Sequence, residues 1–111
     1  MRETYGALVA GHQAAHAHRE EVRDVMRVVH EDETRHAELA WSVHAWAMAR
    51  LDVAGRVRVL AAMESAFEEL AREASAFVSP ELVRELGLPG IRVSRALALA
   101  LRDHLAPLAA A

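Results

Sequence analysis

The chain has 111 residues, 53% of them hydrophobic, with 13 Lys plus Arg against 16 Asp plus Glu, a formal charge of -3 and no cysteine. That length supports one hydrophobic core and not two, and the charge leaves no basic surface for a phosphate backbone, so nucleic acid is not an expected partner. Without cysteine there is no disulfide, zinc–thiolate, iron–sulfur or thiol-nucleophile chemistry, and any metal must be held by carboxylate, imidazole or water, donors that suit iron, manganese or zinc.

Abundant Ala with few Gly and Pro favours helix and leaves little material for strands. The residues from Met1 to Gly6 lack the apolar core of a signal peptide. The Ala/Leu-rich C-terminal stretch is too short to span a bilayer and carries Arg102, Asp103 and His104. A soluble cytoplasmic protein with no membrane contact is expected.

In chain order, a first helix is predicted from Arg2 to about Ala17, with His18-Arg19-Glu20 the break before the next. The second starts at Glu20 or Glu21 and stays periodic to about Arg50, long for a globular helix. Asp52 is placed to cap a third helix, which carries Val57, Leu60, Met63, Phe67, Leu70, Ala74 and Phe77 at alternating steps of three and four. Its other face, with Glu64, Glu68, Glu69 and Glu73, reads as solvated. Ser79-Pro80-Glu81 is a strong helix start: Ser79 caps, Pro80 fits the first helical position and Glu81 complements the dipole. That short helix should stop at Gly87, with a turn at Leu88-Pro89-Gly90. A last helix from about Val93 to Leu105 turns Val93, Leu97, Ala100 and Leu101 inward and ends before Pro107. The result is a single all-α domain: an antiparallel helix pair over 1–51 and a C-terminal helical extension over 52–111 packed on it.

The run Asp32-Glu33-Thr34-Arg35-His36 places a carboxylate and an imidazole three residues apart, on one helical face, where both can address one metal ion. At about 100° per residue, Val22, Met26, Val29, Ala37, Ala40, His44, Ala47 and Leu51 project within about 40° of Glu33, and His36 lies about 60° away. Glu33 therefore sits in an otherwise apolar seam, where an unpaired carboxylate costs several kcal/mol or becomes neutral. On the first helix, Ala7, Ala10, Ala14 and Ala17 project within about 40° of Glu3, a stripe of small side chains suited to close approach. If the two helices fold back about Arg19, Glu3 and Glu33 stand at the same height.

A helix Glu followed some thirty residues later by Asp-Glu-x-x-His resembles the ferritin-like superfamily of di-iron carboxylate proteins. The likeness is strongest to its rubrerythrin-like members, over the run Asp32-Glu33-Thr34-Arg35-His36-Ala37-Glu38-Leu39-Ala40-Trp41. It covers about residues 1–50. The resemblance implies a four-helix bundle holding two metals, with one Glu from each of two helices and a Glu-x-x-His from each of the other two. Carried over, Glu3 matches the lone Glu, and Glu33 and His36 match the pair. It also implies bound iron or manganese and redox chemistry, namely iron oxidation, peroxide reduction or oxygen activation. The departure is that this chain supplies the motif helices once. Either it corresponds to the C-terminal half of a ferritin-like protein and associates with a missing N-terminal helix pair, or two copies form a homodimer with two Glu3, two Glu33 and two His36. A degenerate, metal-free helical association module is the competing expectation.

Among the other candidates, His12 and His16 project about 180° and 220° from Glu3 and read as surface or interface residues. His30, one turn before Glu33, is placed as an auxiliary ligand or its support, and His44 as a hydrogen-bonded core residue. Asp32 is expected to orient a ligand or to pair with Arg35 or Arg2. Tyr5 can donate to a carboxylate. Trp41 and Trp46 are expected to pack against the third and last helices, with Met26 and Met48 as core filler.

Overall fold

The structure is a computed structural model that describes the backbone of residues 1–110 and the side chains through Pro107. Among these residues there are five helices and no strand: α1 (Arg2–His16), α2 (Glu20–Met48), α3 (Val53–Glu73), α4 (Pro80–Leu86) and α5 (Ile91–Ala110). The fold is all-α, as composition and periodicity predict.

The helix boundaries follow local chemistry. Asp52 accepts a hydrogen bond from the Gly55 amide at 2.7 Å and starts α3. Ser79 accepts from the Leu82 amide, with Pro80 next in the chain, and starts α4. Gly87 ends α4 with φ of 66°, the left-handed conformation that glycine adopts without penalty. It meets a second requirement there, because a Cβ at Gly87 would lie 2.5 Å from the Ala17 backbone nitrogen. Gln13 donates to the Leu86 carbonyl and the His18 amide to that of Arg84, so α4 is latched to the end of α1. Two boundaries differ from expectation: α3 ends at Glu73, short of Phe77, and α5 runs through Pro107 to Ala110. Proline keeps a helical φ, and losing one hydrogen bond near a helix end does not stop the last turn.

The largest packing surface is between α1 and α2, which form an antiparallel hairpin. Ala7, Ala10 and Ala17 of the small-residue stripe are buried, with Ala37 of α2. The large-residue core lies elsewhere. Leu70, Leu101 and Leu105 form its centre, and Met1, Tyr5, Leu8 and Trp41 close over it. α5 lies against both α1 and α3.

Several inward assignments are corrected. Val57 of α3, Phe77 in the link beyond it, and Val93 and Ala100 of α5 face outward, whereas Ser94, Ala98 and Leu105 are buried instead. Trp41 does join the α3–α5 core, but Trp46 is exposed, with the Arg50 guanidinium 4.4 Å from its ring centroid. Tyr5 turns into the core beside Ser94, away from the carboxylates, and burial raises its phenol pKa. The common reason is that α3 packs chiefly on α5, so the apolar periodicity of each helix is wider than the face its neighbour covers.

The molecule measures 49 × 25 × 16 Å with a radius of gyration of 15.6 Å, against about 13 Å for a compact chain of this length. Its surface of 7426 Å² exceeds the roughly 6,100 Å² of a compact monomer of this mass. A thickness of 16 Å is little more than one helix diameter. One side of the hairpin, along α2, has no cover.

Candidate metal centre

Glu33 and His36 are carried on α2 by the same periodicity that lays Ala37 against α1. Glu33 is half-buried, and its Oε2 lies 3.7 Å from the position a Cβ on Gly6 would take. The absence of a side chain at Gly6 leaves the carboxylate resting over the α1 backbone. Among the described residues Glu33 has neither a hydrogen-bond nor an ion-pair partner. Its oxygens still reach solvent, so water, not a protein group, solvates it within the single chain.

His36 lies on the same side but is more open, with its side chain 55% exposed. Its Nε2 is 3.8 Å from Asp32 Oδ2, a loose contact across one turn. Asp32 also stands 4.0 Å from Arg35, while Arg2 turns away to Glu69 and Glu73 of α3. The Glu-rich face of α3 is thus partly used in a tie to α1, although such exposed pairs add little stability.

Glu3 is exposed, with its carboxylate 3.4 Å from the terminal amine. Its pKa is held down by its own backbone amide, then by the terminal ammonium, with a smaller pull from His36. That pull places Glu3 in electrostatic reach of His36. The hairpin register agrees: Gly6 meets Glu33, and Trp41 Nε1 donates to Thr4 Oγ1 at 2.9 Å. Glu33 is therefore level with Gly6 and Ala7, and Glu3 stands nearer His36 and Ala37. The two carboxylates are offset by about one turn rather than level. The link between the helices is extended at Ala17 and Arg19, which carries the start of α2 past the end of α1.

The remaining histidines are engaged. His30 Nδ1 donates to the Ala7 carbonyl at 2.7 Å, a tautomer that leaves Nε2 as the acceptor. Its ring fills the space above Gly11, where a Cβ would come within 3.0 Å. It shares a groove with Thr4, Thr34, Glu38, Trp41 and His104, on the side facing α5. His104 was not singled out by sequence reading, because a lone histidine eight residues from the chain end carries no spacing signal. His12 and His16 stack at 4.1 Å, and His16 donates to the His12 carbonyl at 2.9 Å. His44 is half-buried and meets the Trp41 ring edge-on at 5.5 Å, packed rather than hydrogen-bonded.

The structure thus sets Glu3 toward His36 and Glu33 over Gly6, with His30 one turn from Glu33 and bonded to Ala7, while His12 and His16 stack on each other and His44 packs on Trp41. Among the described residues no three His, Asp or Glu side chains converge tightly enough to hold a metal within one chain. No protein-family model matches the sequence, and no curated protein or solved structure matches it.

Proposed function

We propose that this chain is a ferritin-like hairpin whose metal site is completed by association, so that a cytoplasmic homodimer holds two iron or manganese ions. Glu33 carries the reading. It is a half-buried carboxylate lying over Gly6 with no protein partner among the described residues and with its oxygens still reaching solvent, so it is free to take up a cation. A hard or borderline divalent cation suits a carboxylate–imidazole donor set. The donors fit only in duplicate: two Glu3, two Glu33 and two His36 make the six-ligand set that one chain lacks. An N-terminal helix pair supplied by another segment would meet the same need.

Within that assembly Glu33, His36 and Glu3 of both copies would hold the metals. Asp32, 3.8 Å from His36 Nε2 in the single chain, would hold the ring and direct the other nitrogen to the site once it closes to hydrogen-bond distance. Iron or manganese bound there supplies redox chemistry, in the form of iron oxidation or reduction of peroxide or oxygen.

The test is native mass with elemental analysis of protein purified with added iron(II). About one ion per chain is expected, lost in Glu33→Ala and His36→Ala and weakened in Glu33→Gln. Metal-free wild-type protein under those conditions would sink the proposal. A second reading, a metal-free association module, draws on the row of exposed apolar side chains along α2. It predicts that His36→Leu and Glu33→Gln are neutral or stabilising.

A further inference from the structure

One face of α2 is apolar and uncovered. Val25, Val28, Leu39, Val43 and Trp46 are each 55–67% exposed, and helix α3, the nearest element in sequence, packs on α5 instead. On the helical wheel these five residues, with Glu21, Asp32 and Arg50, fall within about 40° of a direction roughly 100° from Glu33. Val25, Asp32, Leu39 and Trp46 recur every seven residues, with Val28 and Val43 at the intervening steps. This is the spacing of a coiled-coil seam, not of scattered surface residues.

The row is also symmetric end for end. Reversed about the midpoint between Arg35 and His36, Val25 falls on Trp46, Val28 on Val43 and Asp32 on Leu39. The ends are complementary in charge: Glu21 falls on Arg50. A surface that matches its own reverse is what a two-fold axis requires, since each residue must meet the residue that meets it.

We propose that a second copy of this chain covers this face, with the two α2 helices antiparallel and the dyad between Arg35 and His36. Trp46 of one copy then packs on Val25 of the other, and Glu21 pairs with Arg50 at both ends. Asp32, the polar position in the row, sits one turn from the dyad, where Arg35 and His36 of the second copy approach it. The exposed excess of the monomer, some 7426 Å² against about 6,100 Å², is larger than the roughly 800 Å² per partner that a stable interface needs.

The inference deepens the metal reading and rests on it for what the dyad is for: Glu33 and His36 of both copies fall within about one turn of the dyad along the helix, His36 about 50° and Glu33 about 100° round from the seam. The seam itself is a property of the metal-free chain, so the two can fail separately. Because the protein has no cysteine, cross-linking reads the register directly. In chelator-treated protein, a mixture of Val28→Cys and Val43→Cys variants should form a disulfide-linked dimer. Val28→Cys alone should not, because two copies of residue 28 lie about 22 Å apart along the seam. Leu39→Glu should raise the dimer dissociation constant on the order of a hundredfold with the helical circular dichroism unchanged. Glu21→Arg should weaken the dimer, and adding Arg50→Glu should restore it.

Cross-linking of Val28→Cys with itself, or folded variants that give no mixed dimer, would overturn the seam. Wild-type protein that sediments as a monomer at 100-fold the concentration of the cross-linking assay would do the same. Metal-free protein that still cross-links in this register upholds the seam and removes only the metal reading.

Discussion

The hairpin of α1 and α2 and the cluster built from α3 and α5 use opposite means of burial. The hairpin closes on Ala7, Ala10, Ala17 and Ala37, side chains too small to contribute much apolar area. The cluster closes on Leu70, Leu101 and Leu105, with Leu101 the one large side chain among the described residues that is fully buried. Small residues let the backbones approach closely enough for Glu33 to rest over Gly6 and His30 over Gly11. Large residues supply the stability that the hairpin does not. Cohesion and chemistry are divided between the two halves, and Tyr5, Leu8 and Trp41 connect them.

That division is open to direct attack, and Leu101→Ala should do the most damage. It empties the centre of the cluster and should cost about 2–5 kcal/mol in denaturant unfolding, whereas Val43→Ala on the open face should stay within about 0.5 kcal/mol in the monomer. A loss at Leu101 no greater than at Val43 would break the comparison. Gly11→Ala sharpens it from the other side. A Cβ 3.0 Å from the His30 ring forces that side chain to move, and a cost of about 1–3 kcal/mol is expected for overpacking, with loss of the His30–Ala7 hydrogen bond visible in the imidazole NMR signals.

The smallest effect is a pH dependence at His12. Burial first, then the neighbouring His16, hold its imidazole below the usual histidine range. The unfolded chain therefore takes up the proton first. Stability is full above the unfolded value, near 6.5, and declines as pH falls through it toward the lower folded value. Replacing His12 by Asn should flatten that part of the stability curve, and an unchanged curve would show that the pair is too exposed to matter.

The features legible in the sequence are those decided within a turn or two of chain. Asp52 and Ser79 cap, Gly87 terminates, and the three-and-four periodicity of apolar residues marks every helix. The seam around Glu33 was legible for the same reason, since the angle between residues on one helix is fixed by helical geometry alone. What failed is what needs a second element. Val57, Phe77, Val93 and Trp46 have the spacing of core residues, yet each lies where no neighbouring helix reaches. The levelling of Glu3 with Glu33 failed because it assumed a tight turn where the link is extended.

By itself the sequence determined five helical segments, their caps, and the placement of Glu33, His36 and the small-residue stripe on particular helical faces. Each follows from backbone sterics and a fixed rise and rotation per residue. Only the tertiary structure decided which of those faces are covered, that Glu3 stands beside His36 rather than Glu33, and that one apolar row of α2 is left open. Those outcomes depend on how helices with several possible contact faces compete for one another, and side-chain periodicity along a single helix carries no record of which competitor wins.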